Sequence, residues 1–319
     1  MGTGLLVLRQ ALKRVLPQPV RAALRRVLYP ARFHLHPALS RYTGPESVVT
    51  WAVYEAGFHL WRRTWGRGAR LARPIFLIGC PRSGTTIAVD LFALHPEVAN
   101  LSEAPETWDP RGYEDFEADH HWTAADVLPE DAARLHARFE YHRRWHGRPR
   151  FVNKYPRSSV RIDYIRAVFP DAVYIHVIRD GRAVAASMLQ ALGRRRRGQV
   201  KPDMPFTHPP GWRELIRQDK AEQVALQWRA VVSYIVSKRA ELGPAYYEIR
   251  YEELCERPRA VLGAAFGFVG LGADEELLAR LPERLDSQNY KWKQQLSLQQ
   301  VETITRTEAP LLEELGYSL

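Results

Sequence analysis

Residues 79–86, with the sequence GCPRSGTT, connect a short apolar run, Ile75–Ile78, to a segment whose helical periodicity begins at Thr85. Glycines let such a loop curl until successive backbone N–H groups point at one anion. The first turn of the following helix adds unpaired donors and partial positive charge. The order strand, glycine loop, helix therefore predicts an anion-binding turn at the end of a buried parallel strand.

This loop differs from the common nucleoside triphosphate loop at one position. The spacing of Gly79 and Gly84 matches the pattern GxxxxGK[ST], but Thr85 occupies the place of the lysine. That lysine would hold the β- and γ-phosphates, so its absence counts against an ATPase or kinase. Arg82 supplies a cation from inside the loop instead.

Apolar runs and helical segments alternate after Pro74. Further strands are predicted at residues 98–101, 150–153, 172–177 and 246–250, and helical segments at residues 85–94, 131–145, 158–169, 181–192, 212–242 and 252–268. Pro310 is expected to begin a short last helix. This order predicts an α/β fold of the P-loop type, with three layers (α/β/α) and a central parallel sheet. We expect this domain to cover residues 71–319, after an N-terminal helical extension over residues 1–70.

The N-terminal extension contains two segments with helical spacing. Residues 1–45 have no acidic residue, and basic side chains alternate with apolar ones along residues 5–28. This pattern is typical of a helix that docks on the body of the protein or lies on an anionic membrane surface. A second stripe is typical of core packing and consists of aromatic residues: Trp51, Tyr54, Phe58, Trp61 and Trp65.

The composition is basic, with 46 lysine and arginine residues against 36 acidic residues and a formal net charge of +10. Such a field favours an anionic partner: nucleic acid, anionic lipid, or a phosphorylated or sulfated small molecule. Cys80 and Cys255 are too few for a disulfide framework, and no cysteine–histidine cluster indicates a metal. The apolar runs near the N-terminus are too short for a signal peptide or a spanning helix. We therefore expect a cytoplasmic protein with a capacity for peripheral membrane contact.

Two segments resemble the nucleotide site of the sulfotransferases that use 3′-phosphoadenylyl sulfate (PAPS). Residues 76–86, FLIGCPRSGTT, look like the 5′-phosphosulfate loop of that family, and residues 177–187, VIRDGRAVAAS, resemble its 3′-phosphate segment. In that segment an arginine and a serine hold the 3′-phosphate, which maps to Arg179 and Ser187. A strand-end arginine and a serine two helical turns later can converge on one phosphate. The resemblance runs from about residue 73 to residue 319 and implies PAPS as the donor, without a metal.

Later segments agree with this resemblance. Residues 250–254, RYEEL, resemble a family segment near the nucleotide, and residues 287–293, SQNYKWK, resemble a segment that closes over it. The resemblance implies the following cofactor-binding residues: Arg82, Ser83, Gly84, Thr85, Thr86, Arg179, Ser187, Tyr251, Ser287 and Lys291.

Sulfuryl transfer needs cations near the departing phosphate oxygen and one base near the acceptor hydroxyl. Arg82 is one cation. Lys154, in the segment FVNKYP, is similar to a lysine that contacts the transferring group in the protein-tyrosine sulfotransferase branch. Glu103, which lies 21 residues after Arg82, is similar to the catalytic glutamate of that branch. Pro156 occupies the place where the cytosolic small-molecule enzymes have a histidine base.

Other segments leave alternatives open. His120 and His121 are solvent-exposed loop residues, a competing base or part of the acceptor site; the four arginines at residues 194–197 are a solvated loop or a guide for an anionic acceptor. A P-loop kinase with a modified loop and a basic nucleic-acid-binding protein are the alternative functions. No helix-turn-helix, zinc-finger or RNP-like sequence supports the nucleic-acid alternative. The expected acceptor carries a hydroxyl, or with less support an amine, on a carbohydrate, glycolipid or small metabolite.

Overall fold

The computed structural model describes residues 45–109, 117–193, 203–204 and 206–319. The basic segment before residue 45 and the four arginines at residues 194–197 lie outside these ranges. Helix α1, Pro45–Arg63, belongs to one compact unit, and the chain from Gly66 to Leu319 forms a second unit. A helix is confirmed over most of the aromatic stripe, but it ends before Trp65, which is 82% exposed, so the expectation of core packing is wrong for that residue. A domain boundary at residue 70 stays a prediction. Within the described ranges, no helix is both long and apolar enough to cross a membrane.

Five parallel strands form the sheet of the second unit, in the order β2-β3-β1-β4-β5. All five predicted strands are confirmed. Because the strands run in the same direction, their carboxyl ends meet at one edge of the sheet, where open α/β folds bind ligands. The strands are β1, Ile75–Ile78; β2, Val98–Ser102; β3, Arg150–Lys154; β4, Val173–Ile178; and β5, Tyr246–Arg250.

Helices connect these strands and follow the last of them. The helices are α2, Thr85–Phe92; α3, Pro105–Trp108; α4, Pro129–Trp145; α5, Ile162–Val168; α6, Gly181–Gly193; α7, Lys220–Ser237; α8, Arg239–Leu242; α9, Tyr251–Glu256; α10, Pro258–Phe268; α11, Glu275–Arg280; α12, Trp292–Gln295; and α13, Leu298–Glu314. Shorter 3₁₀ turns lie at Ala124–Asp126, Pro156–Val160, Trp212–Leu215 and Gly243–Ala245.

Alternate residues of β1 face two separate cores, as expected for a sheet that is covered on both sides. Phe76 and Ile78 face a core that they share with apolar side chains of α4, α5, α6, α7 and α13. Ile75 and Leu77 face a second core, which α2 and α10 cover. Each of these four side chains is at most 1% exposed, and burying one contributes about 1.5–3 kcal/mol. The predicted three-layer α/β/α architecture with a central parallel sheet is confirmed.

The prediction of one long helix over residues 212–242 is wrong. The segment begins with a 3₁₀ turn, leaves helical geometry, and starts again as α7. The break occurs at Asp219, whose carboxylate accepts a hydrogen bond of 2.8 Å from the Ala221 N–H and so caps a new helix. Local capping chemistry therefore overrides the continuous helical periodicity.

The expectation that Pro310 begins a helix is also wrong, because this residue lies inside α13. A proline in a helix removes the hydrogen bond to the carbonyl of the fourth preceding residue, here Arg306. Pro310 and Arg306 are both exposed, so water can satisfy that carbonyl. Two more of the predicted helical segments are each divided in two. Residues 158–169 form the end of a 3₁₀ turn and then α5, and residues 252–268 form α9 and α10, with the second helix beginning at Pro258.

A buried ion-pair cluster lies next to the end of β3. The Asp109 carboxylate accepts a hydrogen bond of 2.7 Å from the Tyr155 hydroxyl and one of 3.0 Å from Arg157. The Arg161 guanidinium, whose side chain is 0% exposed, lies 2.7 Å from the other Asp109 oxygen. Asp109 therefore supplies the counter-charge for a guanidinium that water does not reach.

Asp109→Asn should destabilise the protein by about 3–5 kcal/mol, because the variant leaves the buried Arg161 without its counter-charge. Equilibrium unfolding in urea measures this loss. Glu283→Gln is the matched control: Glu283 lies 3.2 Å from Arg259, but its side chain is 82% exposed. The control should lose less than about 1 kcal/mol. Equal losses in the two variants would contradict the role of Asp109.

Candidate active site

The residues expected to bind the nucleotide and carry out the reaction follow the strand ends at the carboxyl edge of the sheet. Glu103 follows β2, Lys154 ends β3, and Arg179 follows β4. The glycine loop follows β1, and Tyr251 follows β5. The sheet register places Ser102, the residue before Glu103, beside Lys154. Side chains from five distant segments therefore lie along one edge of the sheet.

The loop after β1 approaches its neighbours so closely that two positions require glycine. At Gly79, with φ of 156°, a Cβ atom would lie 2.6 Å from the Val177 carbonyl oxygen in β4. At Gly84, with φ of 93°, a Cβ atom would lie 2.8 Å from Cε2 of Tyr251 and closer still to Cδ2. The Ser159 hydroxyl accepts a bond of 3.0 Å from the Gly79 N–H and donates one of 2.8 Å to the Gly79 carbonyl. The loop backbone is thus held from both sides.

Arg82 lies between these glycines and contacts the predicted 3′-phosphate residues. Its φ is 75°, a left-handed conformation that costs a residue with a Cβ about 1–3 kcal/mol. Its Nε donates a hydrogen bond of 3.1 Å to the Ser187 hydroxyl. Its carbonyl accepts one of 3.1 Å from Nη1 of Arg179. The structure therefore brings Arg82, Arg179 and Ser187 into one cluster.

Arg179 is a buried cation whose hydrogen-bond acceptors are neutral. Its side chain packs over the Tyr251 ring, with the guanidinium carbon 4.3 Å from the ring centre. Besides the Arg82 carbonyl, it donates to Oδ1 of Asn289 over 3.0 Å. Burial lowers the pKa of the Arg179 guanidinium, and the nearby Tyr251 and Glu252 act in the opposite direction. A desolvated guanidinium with neutral acceptors is a favourable partner for an anion.

Residues 287–291 lie against Tyr251. The Gln288 N–H donates to the Tyr251 hydroxyl over 3.4 Å, and the Ser287 hydroxyl accepts from the Asn289 N–H over 3.3 Å. The Lys291 side chain is half-buried. Burial raises the pKa of Tyr251, so its hydroxyl stays neutral and can accept such a bond.

Asn289 and Glu252 belong to the same cluster but were not identified from the sequence. The Asn289 amide donates a hydrogen bond of 2.8 Å to the Glu252 carboxylate. That carboxylate also accepts bonds of 3.1 Å from the Tyr317 hydroxyl and from the Asp180 N–H. The signal that could have found both residues is their position inside the segments RYEEL and SQNYKWK.

Glu103 and Lys154 form an ion pair between Oε1 and Nζ. The Lys154 side chain is 5% exposed, whereas that of Glu103 is 41% exposed. The Glu103 N–H also donates to the Lys154 carbonyl over 2.8 Å. Glu103 has φ of 53°, an unfavourable conformation for a residue with a Cβ, and such residues cluster at active sites. The carboxylate is therefore held in place yet accessible to a second molecule.

The loop also contains a hydroxyl without a partner. Ser83 is 1% exposed, and its Oγ has no hydrogen-bond partner among the residues that the structure describes. Thr85, which begins α2, is buried, and Thr86 is exposed. A buried hydroxyl needs a hydrogen-bond partner, and an oxygen-rich anion bound at this loop would provide one. The loop therefore fits a phosphate or sulfate group.

The histidines considered as a competing base have different environments. His120 is 2% exposed, its ring stacks on His208 at 4.0 Å, and its Nδ1 accepts from the His208 N–H over 2.9 Å. Burial and the nearby Arg157 lower the pKa of His120 far below its usual value, so it stays neutral. His121 is half-buried with its ring edge on Tyr234. His120 is thus a core residue rather than an exposed loop residue. In the part of the chain that the structure describes, no group of histidine, cysteine and acidic residues could hold a metal.

Gly84→Ala should destabilise the protein by about 1–3 kcal/mol, because the added methyl group meets the Tyr251 ring and the backbone conformation disfavours alanine. Urea unfolding measures the change. Gly263→Ala in α10 is the matched control, since its methyl group would make an ordinary contact of 3.5 Å with Leu278. That variant should be neutral or more stable by up to about 1 kcal/mol. If Gly84→Ala were as stable as the control, the close packing of the loop would be refuted.

Comparisons with known proteins agree with this fold. Nodulation protein NoeE of Sinorhizobium fredii is 28% identical over 279 residues, which cover 76% of this chain and 65% of that protein. Protein-tyrosine sulfotransferase 1 of Danio rerio is 32% identical over 126 residues, which cover 36% of this chain and 35% of that protein. The chain thus spans less than two thirds of the length of these curated relatives.

A solved structure and a family profile complete the comparison. The sulfotransferase domain of the Synechococcus olefin synthase shares the fold, with a TM-score of 0.53 and 19% identity over 79% of this chain and 97% of that domain. A sequence profile described as the sulfotransferase family matches residues 74–275. The chain therefore belongs to the sulfotransferase family.

Proposed function

We propose that this chain transfers a sulfuryl group from PAPS to a hydroxyl group of an acceptor. One observation carries the proposal: the glycine loop with its arginine–serine cluster and the Glu103–Lys154 ion pair lie at the same edge of one sheet. Transfer of a sulfuryl group from a phosphosulfate requires an anion-binding site and a base at the same edge of the sheet. Membership of the sulfotransferase family supports the class of reaction.

In this proposal, the glycine loop binds the 5′-phosphosulfate end of the donor. Helix α2 begins directly after the loop, so its first N–H groups add partial positive charge at that position. The unpartnered hydroxyl of Ser83 supports this assignment. The residues assigned to this end are Arg82, Ser83, Gly84, Thr85 and Thr86.

The 3′-phosphate end is assigned to the cluster around Arg179. Its guanidinium is buried against Tyr251, and the Ser187 hydroxyl accepts a hydrogen bond from Nε of Arg82, whose carbonyl Arg179 contacts. A phosphate bound between Arg179 and Ser187 would gain charge-assisted hydrogen bonds. Ser287 and Lys291 complete the assignment, because their segment contacts Arg179 through Asn289.

When bound, the donor supplies an electrophilic sulfur whose bond to the 5′-phosphate oxygen breaks as a bond to the acceptor oxygen forms. Glu103 acts as the general base and takes the proton of the acceptor hydroxyl. Lys154 and Arg82 supply positive charge where negative charge develops on the departing phosphate oxygen. The half-exposed carboxylate of Glu103 supports this division of roles, since an acceptor can reach it.

The ion pair couples these two roles. Lys154 is paired with the Glu103 carboxylate, and proton transfer from the acceptor to Glu103 removes the negative charge that Lys154 balances. The ammonium group becomes available to the leaving phosphate at the moment at which charge develops there. Its burial strengthens this effect, because a charge interacts more strongly where water is excluded.

The acceptor and the location in the cell are proposed in coarser terms. We propose a hydroxyl-bearing carbohydrate, glycolipid or small metabolite. Several relatives are named protein-tyrosine sulfotransferases, and that name describes the acceptor of those proteins rather than of this chain. The thiols of Cys80 and Cys255 are buried and unpaired, which suits a reducing cytoplasm. Membrane contact through the basic N-terminal segment stays a prediction, and mass spectrometry of acceptor mixtures with labelled donor would identify the acceptor.

Adenosine 3′,5′-bisphosphate at about 100 times its Kd should raise the Tm by about 5 °C, since a ligand that binds the folded state stabilises it. ATP with Mg²⁺ and an oligonucleotide should give much smaller shifts.

Arg179→Ala should weaken the binding of the bisphosphate by about 10- to 100-fold, because a phosphate loses its charged partner. Thermal shift and calorimetric titration measure these effects.

The control is Arg259→Ala, which removes an arginine that pairs with the exposed Glu283. Its affinity for the bisphosphate should equal that of the wild type. If the bisphosphate gave no shift, or ATP an equal one, the proposed donor would be wrong. Unchanged affinity in Arg179→Ala would refute only the 3′-phosphate assignment.

Glu103→Gln should lower kcat by about 10²-fold or more, because the base is lost, without weakening the binding of adenosine 3′,5′-bisphosphate. Labelled sulfuryl transfer measures kcat, and calorimetry measures the affinity. Glu283→Gln is the control with the same chemical change at an exposed position, and it should keep full activity. Wild-type turnover in Glu103→Gln would rule out this base.

A further inference from the structure

Glu308 is a buried carboxyl group that the proposed mechanism does not use. It lies in α13, its side chain is 0% exposed, and neither carboxyl oxygen has a hydrogen-bond partner among the described residues. The buried arginines and lysine described above contact an acceptor or a counter-charge, and this carboxyl group does not. An ionised carboxylate in such a position would lose its hydration without compensation, which costs several kcal/mol.

The neighbours of Glu308 come from three other elements. A Cβ atom on Gly181, the first residue of α6, would lie 2.7 Å from the carboxyl carbon of Glu308 and 2.8 Å from Cδ2 of Trp228 in α7. The charged groups at the start of α6 are Asp180 and Arg182, which pair with each other at 2.9 Å. The third element is the glycine loop, whose Cys80 belongs to the same buried core as apolar side chains of α13.

The electrostatic surroundings favour the neutral form of Glu308. Burial and then the Asp180 carboxylate raise the pKa of Glu308 well above its usual value, and Arg182 opposes this shift. Arg182 is already occupied, because it donates to both Asp180 oxygens and to the Ser318 carbonyl. Arg229 of α7 is directed at the Thr307 carbonyl, over 2.9 Å. No cation in the described part of the chain is paired with the Glu308 carboxyl group.

Glu308 therefore lies close to both elements that are proposed to bind phosphate, the glycine loop and the start of α6. Gly181, in contact with its carboxyl group, is two residues after Arg179, and Cys80 is two residues before Arg82. Cys80 belongs to the same buried core as Ile304 and Leu311 of α13, the helix that carries Glu308. Burial and then a charge on Glu308 raise the pKa of the Cys80 thiol. A negative charge at this point would repel the phosphates at both ends of the proposed donor.

We propose that Glu308 is a positioning residue that supports the two phosphate-binding elements as a neutral carboxylic acid, and that loss of its proton weakens nucleotide binding. Ionisation would place another carboxylate near Asp180, whose ion-pair partner among the described residues is Arg182. Asp180, the residue after Arg179, and the Glu308 carboxylate would then compete for the Arg182 guanidinium. This inference rests on the proposed function for its nucleotide but not for the protonation of Glu308.

The pH dependence of stability has a definite sign. The unfolded chain loses the Glu308 proton near the ordinary pKa of about 4.3, whereas the folded protein keeps it to higher pH. Between those two values the folded state binds more protons, so this group removes stability as pH rises. Glutamine has the same shape as glutamic acid but does not ionise. The stability of a Glu308→Gln variant should therefore not decrease in this way as pH rises.

The first experiment tests the protonation without a ligand, with Glu308→Gln and the control Glu314→Gln, an exposed position on the same helix. The infrared difference between wild type and Glu308→Gln at pH 7 should show the carbonyl band of a protonated carboxylic acid, absent for the control. The Tm of Glu308→Gln relative to wild type should rise with each pH unit from 5 to 8. A carboxylate band at pH 7, or a constant Tm difference, would overturn the proposal.

The second experiment tests the link to the nucleotide, using adenosine 3′,5′-bisphosphate from pH 7 to 9.5, where its phosphates are fully ionised. Wild type and Glu314→Gln should lose affinity as pH rises, and Glu308→Gln should bind at least about fivefold more tightly than they do at pH 9.5. Parallel affinity curves for the three proteins would overturn the positioning role. If wild type failed to bind at any pH, the proposed function would fail, while the infrared result would still decide the state of Glu308.

Discussion

The Arg179 guanidinium joins parts of the chain that are far apart in sequence. It donates to the Arg82 carbonyl in the glycine loop and to the Asn289 amide, and its plane packs over the Tyr251 ring. A guanidinium can do this because it is flat and carries donors along its edge, so that its face and its edge serve different partners. The ends of β1, β4 and β5 and the segment at residues 287–291 are thereby held around one buried positive charge.

The charged residues that the structure describes near the carboxyl edge of the sheet differ in whether a partner balances their charge. This difference separates residues that stabilise the fold from residues that are proposed to act in the reaction. Arg161 has a permanent counter-charge in Asp109, which gives a stable buried ion pair next to β3. Lys154 has a counter-charge in Glu103, whose side chain is 41% exposed and so accessible to a second molecule. Arg179 has neutral acceptors and gains most from an anion. Glu308 has no partner of either kind among the described residues, and neutrality is its least costly state.

Much of the fold could be predicted from the sequence, because local patterns suffice for it. β1 and β4 are short, mainly apolar runs with β-branched residues, and the predicted bounds of all five strands differ from the observed ones by at most one residue. The errors occurred where local chemistry competes with periodicity: Asp219 caps a new helix inside an apparently continuous one, and Pro310 is tolerated inside α13 because Arg306 is exposed to water. Asn289, Glu252 and Glu308 escaped prediction because their surroundings come from distant segments.

The sequence alone determined the glycine loop between a strand and a helix, the parallel α/β class and the row of charged residues at the strand ends, because glycine spacing and hydrophobic periodicity depend on neighbouring residues. The tertiary structure decided which of these residues touch. The sheet order β2-β3-β1-β4-β5 places Glu103 against Lys154 and joins Arg82 to Ser187 and Arg179. The tertiary structure also buries His120 and Glu308, because burial depends on how whole elements pack. Packing brings together residues whose separation along the chain carries no local signal.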